Sequence, residues 1–453
     1  MSNEQEYVYD EIINRLNAPG EEDRLTAVSQ VGALIERGAI TRNPLREVNN
    51  HVHTAYSFSP YFPAMAAYQA WKAGLQIVGS IDHDSISAAE EMMTAGKAIG
   101  IATTVGFEIR CSCLNTPMAE RKINNPDSSG IIYMCVHGVP AKHIERVKEF
   151  LRPVNRVRNV RNRAEVEALN ILITAAGLTP LDFMSDVASL SQVQKDGSIT
   201  ERHILSAFAG RIISEIGKGK PAVGFLEKAL GVAVSGPMRE YLLDEQNPHY
   251  RYDLLGLLKS TYLPKFFIQP TAEETIPVEE VVDFSRTIDA ISAYAYLGDV
   301  KKSPTGDKRE ERFEDGFLDE LFAVISAIGF PAVTYMPPRN SKEQLLRVQR
   351  LAREHGLMEI SGVDINSSRQ QFNCPELLQP EFEHLIDSAW ALVAHEKLAQ
   401  YDSSYGLFHP ENPMYDRPLP ERISYYAGLG KAMDPKRPES IVDIINSNKE
   451  FFG

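Results

Sequence analysis

Between residues 46 and 111, short apolar strands alternate with helices, and the strands end in histidines or acids. LREVNNHVHT reads as a strand, SPYFPAMAAYQAWKAG as a helix and LQIVGSIDHD as a strand; ISAAEEMMTAGKAIG and IATTVGFEIRC continue as helix and strand. Strands alternating with helices of this length build βαβ units and a parallel sheet. In such sheets and barrels the site lies at the carboxyl ends of the strands. His53, Asp82, His83 and Glu108 fall near those ends. The pattern returns over 317–366 as a helix, the strand AVTY, the helix SKEQLLRVQRLAREHG and the strand MEISGVDIN.

Composition narrows the partners. Apolar residues at 43% and charged residues at 24% exclude wholesale disorder. Acids outnumber Lys plus Arg by 61 to 47, for a net charge of -14. Such a chain repels a phosphate backbone, so a nucleic-acid polymer is not the expected partner. A local cationic site can still oppose the global field and take a small anion. Four cysteines are too few for a disulfide scaffold and suit a reducing, cytoplasmic location. Cys111 and Cys113 form a C-x-C pair without the second pair that structural zinc needs. The N-terminal MSNEQEYVYDEIINRL has no basic or apolar signal region, and no long apolar run predicts a membrane span.

Other segments carry less chemistry. Residues 1–40 read as helical, 114–130 as a polar loop, and 140–175 as a long helix rich in arginine. In that helix Arg146, Lys148, Arg152, Arg156, Arg158, Arg161 and Arg163 interleave with Glu145, Glu149, Glu165 and Glu167, which predicts a solvated, ion-paired helix. Lys301, Lys302, Lys308 and Arg309 fall in a charged loop placed to close over an anion beside the mouth.

Four features carry the chemistry. His51 and His53 lie two apart on a strand, so both point to one face. Two imidazoles on one face can share a metal. In IDHDS, Asp82-His83-Asp84 ends an apolar strand, where charge is not buried without partners. His83 is expected to face the site, while Asp84 or Ser85 caps the next helix. Glu108 in VGFEIRC and Asp364 in MEISGVDIN are acids within apolar strands. Each needs a counter-charge: a metal, or for Glu108 the neighbouring Arg110. Together the four features predict a metal centre.

HVHTAYS, IVGSIDHDSISAAEE and VGFEIRCS resemble three motifs of the PHP (polymerase and histidinol phosphatase) family of metal-dependent phosphoesterases. TERHILSAFAGRI and TYMPPRNSKEQLLRVQRLAREHGLMEISGVDIN resemble later ones. The resemblance covers roughly residues 46–210 and 280–370. It implies a distorted (β/α)7 TIM-like barrel with a metal centre at its C-terminal mouth. Phe58 stands where the family has an acid, Tyr133 and Tyr296 where it has histidines, and Asn366 where its closing histidine would be. His137 lies four residues beyond Tyr133.

The resemblance assigns His51, His53, Glu108 and Asp364 to one ion and His83 to a weakened neighbouring site. The expected cofactor is a divalent transition metal (manganese, zinc or iron) as one or two ions. Asp82 or His83 is expected to act as general base or leaving-group acid. Arg202, His203, Arg339 and Asn366 are expected on the substrate. The implied function is a hydrolase that cleaves a small phosphorylated metabolite or nucleotide with a metal-activated water. The alternatives are a degenerate barrel that binds without turnover, and an amidohydrolase-like enzyme acting on a C–N bond. The expected architecture is an N-terminal helical appendage (1–45), a barrel in two parts (46–210 and 280–375), a helical insertion (211–279) and a helical C-terminal extension (376–453). Oligomeric state is left open.

Overall fold

The computed structural model describes residues 3–125, 127–299 and 313–447. Two helices, α1 (Asn3–Arg15) and α2 (Glu21–Glu36), precede the sheet. Strand β1 (Val48–Val52), helix α3 (Pro63–Lys72), strand β2 (Ile77–His83), helix α4 (Ala89–Ile99) and strand β3 (Ala102–Ser112) follow. These match the alternation read from the sequence. Strand β4 (Ile131–His137) leads into the long α5 (Ile144–Ala175). A helical layer comes next: α6 (Glu201–Glu215), α7 (Lys220–Lys228), α8 (Gly236–Leu243) and α9 (Tyr250–Thr261). The chain then returns to the sheet through β5 (Ile276–Pro277), α10 (Val278–Thr287), β6 (Ile291–Ala295), α11 (Leu318–Ile328), β7 (Ala332–Tyr335), α12 (Lys342–Glu354) and β8 (Met358–Ser361). Helices α13 (His384–Tyr401), α14 (Leu419–Ala432) and α15 (Ser440–Ser447) complete it.

The main path of the sheet runs β1-β2-β3-β4-β6-β7-β8, with the two-residue β5 beside β3. Its pairs are parallel except where β4 runs antiparallel to β3 and β6. The ends approach each other just past β8: the His53 N–H donates to the Ile365 carbonyl at 3.1 Å, and Ile365 N–H to His51 at 3.3 Å. Below that point side chains bridge the gap. Asn49 donates to the Val363 carbonyl at 3.0 Å and accepts from its N–H at 2.9 Å, and Asn50 donates to the Ser361 carbonyl at 3.1 Å. Gly362 permits this approach, because a Cβ there would sit 2.4 Å from His51 Cβ. The result is a nearly closed, distorted seven-strand α/β barrel with helices around it, the architecture the sequence predicts.

Burial follows strand alternation. On β3, Phe107, Ile109 and Cys111 enter the main hydrophobic core, while Glu108 and Arg110 lie on the opposite face. The helical layer has its own core, which begins on α5 at Val166 and runs through α6, α7, α8 and α9. The N-terminal helices pack with α3 and α4 in a third core. There the buried Arg24 donates to Glu91 on α4 at 2.8 Å. The charged loop expected around Lys301, Lys302, Lys308 and Arg309 lies outside the described residues.

Candidate metal centre

Strand ends β1, β2 and β3 and the segment after β8 deliver His51, His53, His83, Glu108 and Asp364 to one place. One oxygen of Glu108 is the hub. Its Oε2 lies 3.5 Å from His51 Nε2, 3.8 Å from His53 Nε2 and 3.4 Å from His83 Nδ1. His53 Nε2 is also 3.2 Å from Asp364 Oδ1. The rings of His53 and His83 stack with centroids 4.6 Å apart. Among the described residues, the ion-pair partners of Glu108 and Asp364 are imidazoles alone.

Electrostatics leaves the acids ionised. Burial alone would raise Glu108, but His83, His51 and His53 hold it at about 2. Burial likewise opposes charge on Asp364, yet His53, His51 and the nearby Arg202 keep it well below the usual carboxylate range. Burial pushes His83 down to about 3, outweighing the pull of Glu108, so its ring is neutral at pH 7. Ionised carboxylates beside a neutral imidazole are the donor chemistry of a divalent transition-metal site.

Three overlapping groups offer ligand atoms within 4.8 Å of one another: His51, His53 and Asp364; His53, His83 and Glu108; and His51, Glu108 and Cys135. The donors therefore fit a metal. Glu108 and Asp364 fall in different groups that share His51 and His53, and His83 groups with His53 and Glu108. Cys135 was missed by the sequence reading. It lies directly opposite Glu108 in the β3–β4 ladder; the alternation in IIYMCVH puts Cys135 on one face with Tyr133 and His137 but does not say which way that face points.

Asp82 is placed behind this cluster. One oxygen accepts from the Thr54 N–H at 2.7 Å and from Ser57 Oγ at 2.6 Å, and the other accepts from Thr54 Oγ1 at 2.7 Å. Ser57 Oγ in turn lies 3.4 Å from His53 Nδ1. This corrects the proton-transfer role expected of Asp82. Its oxygens are committed to fixing the turn that carries His53, as outer partners of ligating histidines commonly are.

The centre opens into a cavity of about 280 Å³. Arg202, Arg339 and Asn366, the residues expected on a substrate, line it. Asn366 Nδ2 donates to Asp364 Oδ1 at 2.6 Å. His203 does not reach it. His203 lines a separate cavity of about 210 Å³ with Phe58, Arg251 and Tyr252, and its Nδ1 accepts from the Thr200 N–H at 3.0 Å in the capping box of α6. A ring used to cap a helix and buried against Phe58 is not a substrate contact on the centre.

Tyr133 and Tyr296 also line the main cavity, but their hydroxyls are engaged. Tyr133 accepts from Arg110 Nε at 2.9 Å, and Tyr296 donates to Asp315 at 2.7 Å.

Beside the centre lies a buried ion network. Arg110 pairs with Glu201 at 2.8 Å, and Arg158 with Glu274 at 3.0 Å and with Asp84. Arg161 reaches Glu165 and Glu274 at 2.6 Å and Glu201 at 2.9 Å. Arg158, Arg161 and Glu165 thus depart from the solvated reading of that helix, while Arg156 and Arg163 are exposed and Lys148 with Glu145 keeps to it. Asp84 takes a left-handed conformation, φ 51°, and pairs with Arg158; Ser85 donates to the Asp196 carbonyl at 2.8 Å. Neither caps α4, whose N-cap is Ala88. Arg110 serves this network and not Glu108.

No family model matches the chain, and no curated protein sequence matches it. Two solved structures are similar to it. A proposed metal-dependent phosphoesterase from Bifidobacterium adolescentis has 20% identity over 77% of this chain and 98% of its own, with a TM-score of 0.49. An amidohydrolase from Chromobacterium violaceum, solved with sulfate and no metal, has 15% identity over 76% of this chain and 96% of its own, with a TM-score of 0.47. At these values the likenesses carry no argument about activity. No helix among the described residues is long and apolar enough to cross a membrane.

Proposed function

We propose that the protein is a metal-dependent hydrolase of the PHP type, acting on a small phosphorylated substrate. The observation that carries this reading is the convergence of three imidazoles on Glu108 Oε2, beside Asp364, in a cavity that Arg202 and Arg339 also line. A divalent ion bound there would supply the chemistry of a nucleophilic water at neutral pH and of charge neutralisation on a phosphoryl group. His51, His53, His83, Glu108 and Asp364 are the residues that would hold it as one or two ions.

The chain's own groups do the rest. Asp82, through Ser57, orients His53. Asn366 fixes the rotamer of Asp364. Arg202 and Arg339 offer guanidinium donors to the oxygens of a phosphoryl group, over which transition-state charge is spread. His83 turns Nδ1 toward Glu108 and lines the cavity; its Nε2–H is the donor we assign to hydrogen-bond the leaving oxygen. The arginines support a phosphoester over a C–N bond, because a phosphoryl group is anionic before and during reaction while an amide itself is neutral.

The test is release of inorganic phosphate from a panel of phosphomonoesters by protein loaded with manganese, zinc or iron. His51→Ala and Asp364→Ala are expected to lose bound metal and turnover while keeping the wild-type circular dichroism. Wild-type turnover in both variants would overturn the site. Metal binding without turnover of any ester or amide would leave a binding barrel in place of an enzyme.

A further inference from the structure

The chain has four cysteines, all buried and free. Three of them, Cys111, Cys113 and Cys374, pack in the main hydrophobic core, whereas Cys135 is outside every hydrophobic cluster. The reason lies in β4, where Ile132, Met134 and Val136 enter the core and Cys135 takes the other face with Tyr133 and His137. Residues directly opposite in an antiparallel pair project to the same side. Cys135 pairs with Glu108, so its thiol accompanies that carboxylate into the barrel. Its Sγ lies 4.0 Å from His51 Nδ1. Two residues on, His137 is 1% exposed and its Nε2 has no hydrogen-bond partner among the described residues. The barrel-facing row of β4 therefore places the Cys135 sulfur beside a candidate ligand of the centre.

We propose that Cys135 is a sulfur ligand of the metal centre, completing a group with His51 and Glu108. This inference rests on the proposed metal-dependent reading and narrows it. On binding, the thiol gives its proton to solvent and the sulfur forms the bond to the ion. A thiolate is a soft donor that favours zinc, iron or cobalt over manganese or magnesium. Cys135 thus selects among the metals that imidazoles and carboxylates alone leave open.

The probe is cobalt(II), titrated into the full-length, metal-free protein. The expected result is a sulfur-to-cobalt charge-transfer band in the near ultraviolet, together with visible ligand-field bands. Cys135→Ser is expected to keep the visible bands and lose the ultraviolet one. It is also expected to lose about tenfold in its preference for zinc over manganese, measured by competition. Visible bands without a sulfur band in the wild type would overturn the Cys135 assignment and leave the metal reading standing. Absence of any cobalt binding would overturn both. The wild-type spectrum decides the sulfur question even if the variant fails to fold.

Discussion

In one wall Arg110, Arg158 and Arg161 meet Asp84, Glu165, Glu201 and Glu274; in the other, among the described residues, the ion-pair partners of Glu108 and Asp364 are imidazoles. Both walls bury carboxylates, and a buried charge is costly unless paired. The first wall solves this within the chain. Its fourth acid, Glu165, is pushed up to about 7 by burial and by Glu201, against the pull of Arg161, so it favours the neutral form below that pH. Three guanidinium charges then face three carboxylates. Among the described residues no guanidinium or ammonium is ion-paired to the two acids of the second wall, and a divalent cation would balance them. The difference teaches that buried charge alone does not mark a site. The mark is buried charge whose partners are themselves metal donors.

The strongest way to break this comparison is to remove a cation from the self-matched wall. Arg158→Met leaves Asp84 and Glu274 short of a partner in a buried setting, and is expected to cost about 3–5 kcal/mol in urea denaturation. The protein that remains folded should still bind wild-type amounts of metal. Loss of metal with unchanged stability would reverse the roles given to the two walls.

A smaller effect is expected behind the metal wall. Asp82→Asn keeps the shape but weakens the acceptor that Thr54 and Ser57 share. Metal affinity or turnover should fall by about 10–100-fold with little loss of stability. Unchanged affinity and rate would make Asp82 an ordinary buried acid with no influence on His53.

The smallest effect is in pH dependence, where the walls have opposite signs in the metal-free protein. Glu165 has its folded value raised from 4.5 to about 7. The folded chain therefore keeps a proton that the unfolded chain has lost, and this contribution to stability fades as pH rises through that window. Glu108 is depressed from 4.5 to about 2, so its contribution is present above 4.5 and fades as pH falls toward 2. Glu165→Gln is expected to flatten the fall in denaturation midpoint between pH 4.5 and 7, relative to the wild type. An identical slope in both proteins would remove Glu165 from the account.

Much of the ligand wall was legible because its signals are local. Histidines two apart on a strand share a face, and an acid inside an apolar strand advertises an absent partner. The strand alternation and the positions of β1, β2 and β3 follow from the same periodicity. The ion network was not legible, because its partners come from α5, the start of α6 and the segment before β5, far apart in sequence. Arg158, Arg161 and Glu165 look like any exposed helical i,i+3 and i,i+4 set until the helical layer covers them. Asp82 was misread for a related reason. Its place at a strand end is visible in the sequence, but the face it takes depends on the Thr54 and Ser57 turn that folds over it.

The sequence by itself determined the α/β class, the order of strands and helices from β1 to β3 and from α11 to β8, and the candidate donors His51, His53, His83, Glu108 and Asp364. Each of these depends on residue type and spacing within a few positions. Only the tertiary structure decided that Glu108 is their hub, that His203 caps a helix on another cavity, and that Cys135 faces the donors while Cys111 faces the core. Those outcomes turn on register between strands and on which helix covers which charge. A shift of one residue in register would exchange the two faces of β4, and nothing local to IIYMCVH fixes its pairing with β3.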